Sequence, residues 1–243
     1  MSTPSNSNEK SGTLITGTDT SIGKTVVACA ILAGLRARGI DVAAYKPAET
    51  GCATTDAGLV GEDCVRLAAA TGGAQSAGEI ASYLFELPAA PLVAAEAAGE
   101  SIEPARLAAD YASLGGRCDR VIVEGAGGLL VPVAAGYTYL DLARDLELDV
   151  VCVVGSRLGC INHALLTLAA LDAAEIPVRG YVINCPTDDA AGPSSTESNR
   201  ATIARFTRHR DLGLFPHLAA DERDDPAALA ACAERHFDLS SFV

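Results

Sequence analysis

The chain has 243 residues, 49% hydrophobic and 20% charged, a composition that excludes a disordered or fibrous polymer and leaves room for one large core. Its formal charge of −13, from 18 Lys+Arg against 31 Asp+Glu, gives no long-range attraction to nucleic acid or an anionic membrane. No apolar run reaches the ~18–20 residues of a membrane span, and the opening MSTPSNSNEKSG lacks the apolar stretch of a signal peptide, so a cytoplasmic location is expected.

Residues 1–12 are polar and aperiodic and read as a flexible arm, with residues 13–243 forming one domain. The expected strands are Thr13–Thr16, Val42–Tyr45, Arg120–Val123, Val150–Val154, Val178–Ile183 and Leu212–Phe215. Helices are expected over 25–38, 61–70, 104–114, 138–146, 161–174, 197–209 and 226–235, with a surface loop over 190–197. Runs such as VIV and VVCVV are apolar at every position, as strands buried on both faces of a parallel sheet must be. Strand–helix alternation then predicts an α/β fold: a doubly wound, mostly parallel sheet with helices on both faces. The eight cysteines form no CxxC and sit among Ala, Val, Leu and Gly, which makes them small buried hydrophobes with free thiols. His163, His209, His217 and His236 have no metal-ligand spacing, so no structural zinc site is expected.

Ligands of such a sheet collect at the carboxyl ends of its strands, and the chemistry-bearing motifs fall there. TLIT-GTDTSIGKT-VVACAIL is a strand, a glycine-containing loop and an apolar helix. Gly23 lets the backbone approach phosphates, successive N–H groups and the helix dipole receive their charge, Lys24 reaches the β/γ-phosphates and Thr25 offers a hydroxyl to Mg²⁺. The loop is a variant, because the usual first glycine falls at Thr18 and Gly17 comes one residue early. After Val42–Tyr45, the segment Lys46 to Gly51 places a cation beside a turn. After Val121–Val123, Glu124 stands where an acid would hold magnesium, followed by Gly125, Ala126, Gly127 and Gly128, too small to block a ligand. The Gly159 to Asn162 turn after Val150–Val154 opens a helix and forms a second anion site. Asp63 stays open on spacing alone, since an acid at a helix start is equally a dipole partner.

GTDTSIGKT, YKPAETG, VEGAGG with Pro132, and GSRLGCINHALLT, in this order and spacing from about Thr13 to Leu218, make the chain resemble the dethiobiotin synthetases of the P-loop NTPase superfamily. The resemblance implies an ATP- and Mg²⁺-dependent ligase of biotin biosynthesis that closes the ureido ring of dethiobiotin from 7,8-diaminopelargonate and CO₂. The route runs through a carbamate and a carbamic–phosphoric anhydride. It implies ATP contacts from Ser21, Ile22, Gly23, Lys24, Thr25, Val26, Asp63, Glu124, Gly125, Ala126, Gly127, Asn184, Cys185, Pro216, His217 and Leu218, with Asn184 reading adenine. It implies a metal shell of Thr25, Asp63 and Glu124, and Lys46 with Lys24 as catalytic cations. Substrate contacts come from Thr50, Gly127, Leu158, Gly159 and Asn162, the last three reaching over from the other subunit of a homodimer. Two departures stand out. The family's acid after the late loop has Asp221, Glu222 and Arg223 as alternatives here, and its PxSPH-like segment reads Pro88 to Leu92.

Two rival classes share the loop. An amide synthase of the cobyrinic type needs a glutaminase domain with a nucleophilic cysteine in a His–acid frame, which these cysteines lack. A partitioning ATPase switch carries a signature lysine early in the loop, where this chain has Asp19.

Overall fold

The computed structural model describes residues 12–186 and 192–242, with side chains of the second stretch from 195 onward. The expected arm, apart from Gly12, and part of the expected loop 190–197 lie outside the described residues.

Strand β1 (Gly12–Gly17) leads through the phosphate loop into α1 (Lys24–Ala37), and β2 (Val42–Thr50) follows. A small hairpin, β3 (Ala53–Thr55) and β4 (Gly58–Val60), precedes α2 (Glu62–Ala70), β5 (Ala81–Phe85), α3 (Pro91–Ala98) and α4 (Pro104–Gly115). Then come β6 (Arg120–Gly128), a second hairpin of β7 (Pro132–Ala134) and β8 (Tyr137–Thr138), α5 (Tyr139–Asp145), β9 (Asp149–Gly155) and α6 (Cys160–Ala173). The chain continues through β10 (Val178–Asn184), α7 (Gly192–Phe206), β11 (Asp211–Phe215), α8 (Ala220–Arg223) and α9 (Pro226–His236).

The main sheet has seven strands in the order β11-β10-β9-β1-β6-β2-β5, every neighbouring pair parallel. Its faces feed two cores. Val151, Val153, Ile122 and Ala44 pack with Val27 and Ile31 of α1, Leu67 of α2 and Leu229 of α9. Val150, Cys152, Val123 and Tyr45 point the other way, toward Leu107 of α4, Leu142 of α5 and Leu168 of α6. The alternation explains why VVCVV must be apolar throughout. Proline opens α3, α4 and α9 at the first helical position, where its missing N–H costs nothing.

Several expectations need correction. The apolar runs end at Tyr45 and Val123, but the backbone stays extended, so Lys46 and Glu124 lie inside β2 and β6 and not in turns after them. The β2–β6 ladder stops at Tyr45↔Val123, and β2 pairs instead with β5 from Lys46↔Ala81 onward. Below that point Gln75 covers the free edge of β2, its side-chain amide accepting from Ala44 N (2.7 Å) and donating to Ala44 O (3.0 Å). Strand β5 and helices α3 and α8 carry no expectation from the sequence, and α7 starts and ends earlier than 197–209. All eight cysteines lie among the described residues as thiols outside any disulfide, six of them buried, as expected. Among the described residues no helix is long and apolar enough to cross a membrane.

Candidate active site

The phosphate loop gets its concave shape from two left-handed residues, Ser21 (φ 56°) and Gly23 (φ 89°), which turn successive N–H groups inward. Gly23 is also confined, since a Cβ there would lie 2.1 Å from Asn184 Nδ2. Asn184, at the end of β10, donates that Nδ2 hydrogen to Ile22 O (2.6 Å), pinning the loop to the sheet. Lys24 donates to Asp19 O (3.0 Å), and Asp19 in turn forms an ion pair with Arg157 of the turn before α6.

Below the loop a polar cluster fills the seam between β2 and β6. Thr25 Oγ1 donates to Asp63 Oδ1 and Glu124 Oε1, both at 2.8 Å, and Lys46 Nζ donates to Asp63 Oδ2 (2.6 Å) and Glu124 Oε1 (2.7 Å). A hydroxyl can point its hydrogen at only one of the two carboxylates, so one of Thr25's contacts is unmade at any moment. Lys46 and Glu124 are 2% and 1% exposed, so their charges are felt strongly, while Asp63 remains partly exposed to the cleft. Burial pulls the Lys46 ammonium down, but Glu124 and Asp63 beside it more than offset this and hold its pKa well above the ordinary lysine range. Burial pulls the Lys24 pKa down, against Glu124. It raises that of Glu124 despite Lys46, whereas for Asp63 burial is outweighed by Lys46, Thr25 and Lys24 together, which hold it low.

Two carboxylates and a hydroxyl fit a magnesium ion, which keeps waters and takes further ligands from phosphate. Among the described residues no group of three His, Cys, Asp or Glu could hold a metal without such help. Glu124 Oε2 is buried with no hydrogen-bond partner, an acceptor that a cation at this point would satisfy.

A cleft of about 400 Å³ joins this cluster to the loop. It brings together Ser21, Gly23, Lys24, Thr25, Val26, Lys46, Thr50, Asp63, Glu124, Ala126, Gly127, Asn184, Cys185, Pro216, His217 and Leu218. Two expected nucleotide residues are placed behind its wall. Ile22 is core, with its carbonyl bonded to Asn184, and Gly125 is buried against the Tyr139 ring. Leu158, Gly159 and Asn162 do not line the cleft of their own chain; Leu158 is 99% exposed at the start of α6. His217 Nδ1–H donates to Pro186 O (3.1 Å) at the rim.

Among the charged lining residues, Glu49 and Arg66 escaped the sequence reading, and Arg223 entered it only as an alternative for the late acid. Glu49 lies in the quoted YKPAETG but is inward-facing and only 5% exposed. Arg66 on α2 pairs with Glu62 and Asp224, and Arg223 has a buried Nε without an acceptor. Of the three alternatives near the family's late acid, Arg223 is therefore the one at the cleft. No local pattern distinguishes any of these from surface charge; only the fold brings them to one wall.

A family model described as an AAA domain matches residues 11–223. The ATP-dependent dethiobiotin synthetase BioD of Anaeromyxobacter dehalogenans is 42% identical over 209 residues, 84% of this chain and 89% of that protein. That of Aromatoleum aromaticum is 40% identical over 217 residues, 89% and 94% of the two chains. That of Pseudomonas paraeruginosa is 42% identical over 226 residues, 93% and 95%. Among solved structures, the MinC:MinD cell division complex of Aquifex aeolicus aligns with a TM-score of 0.56 at 15% identity, covering 93% of this chain and 95% of that one. The cell division ATPase MinD of Pyrococcus furiosus aligns at 0.52 and 16%, covering 93% and 99%. At that identity the likeness is one of fold alone.

Proposed function

The chain belongs to the ATP-dependent dethiobiotin synthetases, within the AAA-domain P-loop proteins, and on that footing we propose how its cleft performs the reaction. The protein is an ATP-dependent ligase of biotin biosynthesis that converts 7,8-diaminopelargonate and CO₂ into dethiobiotin, with ATP becoming ADP and phosphate. One substrate amine adds CO₂ and loses a proton to give a carbamate. A carbamate oxygen attacks the γ-phosphorus, ADP departs, and the mixed anhydride forms. The neighbouring amine then attacks its carbonyl carbon, expels phosphate, loses a proton and closes the ring.

Two anions have to meet, and the chain's own residues offset their repulsion. Lys24 reaches the β- and γ-phosphates from α1, and Lys46, protonated throughout, donates to the phosphoryl oxygens as charge redistributes. The loop N–H groups fix the triphosphate, which turns a meeting of anions into a question of position. Thr25, Asp63 and Glu124 would hold magnesium, which supplies a further positive charge to the phosphate oxygens when bound. Asn184 has its Nδ2 engaged by Ile22 O, leaving Oδ1 to accept from a base amino group. Pro216 and Leu218 flank the base, and the unmatched Arg223 Nε suits a nucleotide oxygen. The observation that carries the reading is the buried Lys46 ammonium set between Asp63 and Glu124, one hydrogen bond from the P-loop threonine's acceptors.

The working unit is residues 13–243, as a homodimer in the cytoplasm, where ATP is supplied. Exposed Leu158 in the turn before α6 and exposed Leu166 (62%) on α6, beside an exposed Asn162 outside its own cleft, support a second subunit that receives this turn at its substrate carboxylate.

The test is phosphate release from Mg·ATP with and without 7,8-diaminopelargonate and bicarbonate, with product followed by mass. Release coupled to dethiobiotin is expected. Release indifferent to the diamine would favour a nucleotide switch instead.

A further inference from the structure

Helix α2 carries Asp63 in its first turn, yet its N-cap residue, Gly61, has no side chain to cap it. Uncapped helix starts leave backbone N–H groups unsatisfied, and a Ser, Thr, Asn or Asp at the cap ordinarily accepts from the second or third of them. Here the acceptor comes from another element. The Glu49 carboxylate on β2 accepts from Asp63 N at Oε1 (2.8 Å) and from Cys64 N at Oε2 (2.9 Å).

Gly61 has an ordinary backbone (φ −89°, ψ 128°), so chain conformation does not require glycine. Space does: a Cβ on Gly61 would sit 2.1 Å from Glu49 Oε2 and 2.7 Å from Oε1. The local cap has given way to one from the strand, and that strand also presents Lys46, three residues earlier on β2.

From this juxtaposition we propose that Glu49 is a positioning residue: it fixes the start of α2 and thereby the Asp63 carboxylate against Thr25 and Lys46. Strand β2 then supplies both the ammonium and the anchor for its partner acid, so their separation does not depend on the exposed hairpin of β3 and β4 between them. This rests on the assignment of Asp63 to magnesium made above.

The experiment measures ADP affinity with magnesium and with a chelator, together with the thermal midpoint, for the full chain and three variants. The wild type binds ADP more tightly with magnesium. Glu49→Ala still binds ADP measurably without metal and reduces the tightening by about tenfold. The double variant Glu49→Ala with Gly61→Ser, in which the serine hydroxyl has room to accept from the same N–H groups, recovers both midpoint and tightening. Glu49→Gln, which retains one acceptor, falls between and serves where Glu49→Ala does not fold. If Glu49→Ala lowers the midpoint but keeps the full tightening, Glu49 is only a helix cap and the proposal is overturned. Recovery of the midpoint without the tightening in the double variant also overturns it, since Glu49 would then act by its own charge. A wild type without any tightening overturns both this proposal and the magnesium assignment, which separates the two failures.

Discussion

Lys46 and Glu124 meet at 2.7 Å one residue past the last pair that joins β2 to β6, Tyr45↔Val123. Up to that pair the backbones of β2 and β6 are hydrogen-bonded to each other; beyond it the two side chains bridge them. The contact thus sits where the sheet parts to admit a ligand.

Removing the ammonium strands two acids. Lys46→Ala should abolish dethiobiotin formation while ADP binding stays measurable by calorimetry. In the absence of metal it should destabilise the protein by about 3–5 kcal/mol, the usual result of breaking a buried ion pair from one side. Magnesium should restore part of that loss, read as a shift in the urea midpoint larger than in the wild type.

Gly23 and Gly39 separate strain from crowding. Both have positive φ, 89° and 78°, but a Cβ on Gly39 meets nothing within 4 Å. Gly39→Ala should cost only the left-handed strain, about 1–2 kcal/mol, with activity retained. Gly23→Ala additionally pushes Asn184 off Ile22 O and should weaken ADP binding by at least about tenfold.

Shared sites make a complementation prediction. Homodimers of Asn162→Ala should bind the diamine weakly and those of Lys46→Ala should be inactive. After subunit exchange of equal amounts, about a quarter of sites should be intact if each uses its own Lys46 and the partner's Asn162. No recovery in mixed dimers would mean that each site is contained in one chain.

The start of α5 gives a pH dependence. Asp141 Oδ2 accepts from Thr138 N (2.9 Å) and Oγ1 (2.7 Å), and chiefly the Thr138 side-chain hydrogen bond holds its pKa below the ordinary aspartate value of 3.8. A folded pKa below the unfolded one contributes stability above pH 3.8, and that contribution fades as pH falls through the lowered value. Asp141→Ala should cost about 1 kcal/mol at pH 7, as for loss of a helix cap, and progressively less in acid, followed by urea unfolding across pH.

The central strands were legible because burial on both faces leaves no alternative to continuous apolar runs. Strand β5, ASYLF, was not, since it is an edge strand whose Ala81 and Leu84 are only partly buried and whose Ser82 bonds Tyr45. Lys46 and Glu124 were legible as residues but misplaced, because hydropathy marks where a strand stops being greasy, not where its backbone stops pairing. Asp63 could not be told from a dipole partner until α2 was folded against β2. Glu49, Arg66 and Arg223 come from three different elements, β2, α2 and the distant α8, so the pattern of no single element contains their relation.

The exchange of neighbours along β2 also bears on how this gene tolerates length changes. Side chains alternate across the strand, Ala44 toward α1 and Tyr45 toward α4. Deleting one codon between those for Val42 and Tyr45, with the edge still clamped to β6, would slide every later residue to the opposite face. The ammonium of Lys46 would then be driven into the apolar layer beneath α4, and Glu49 would turn its back on α2. The exposed hairpin of β3 and β4 can absorb insertions; these four positions can absorb none.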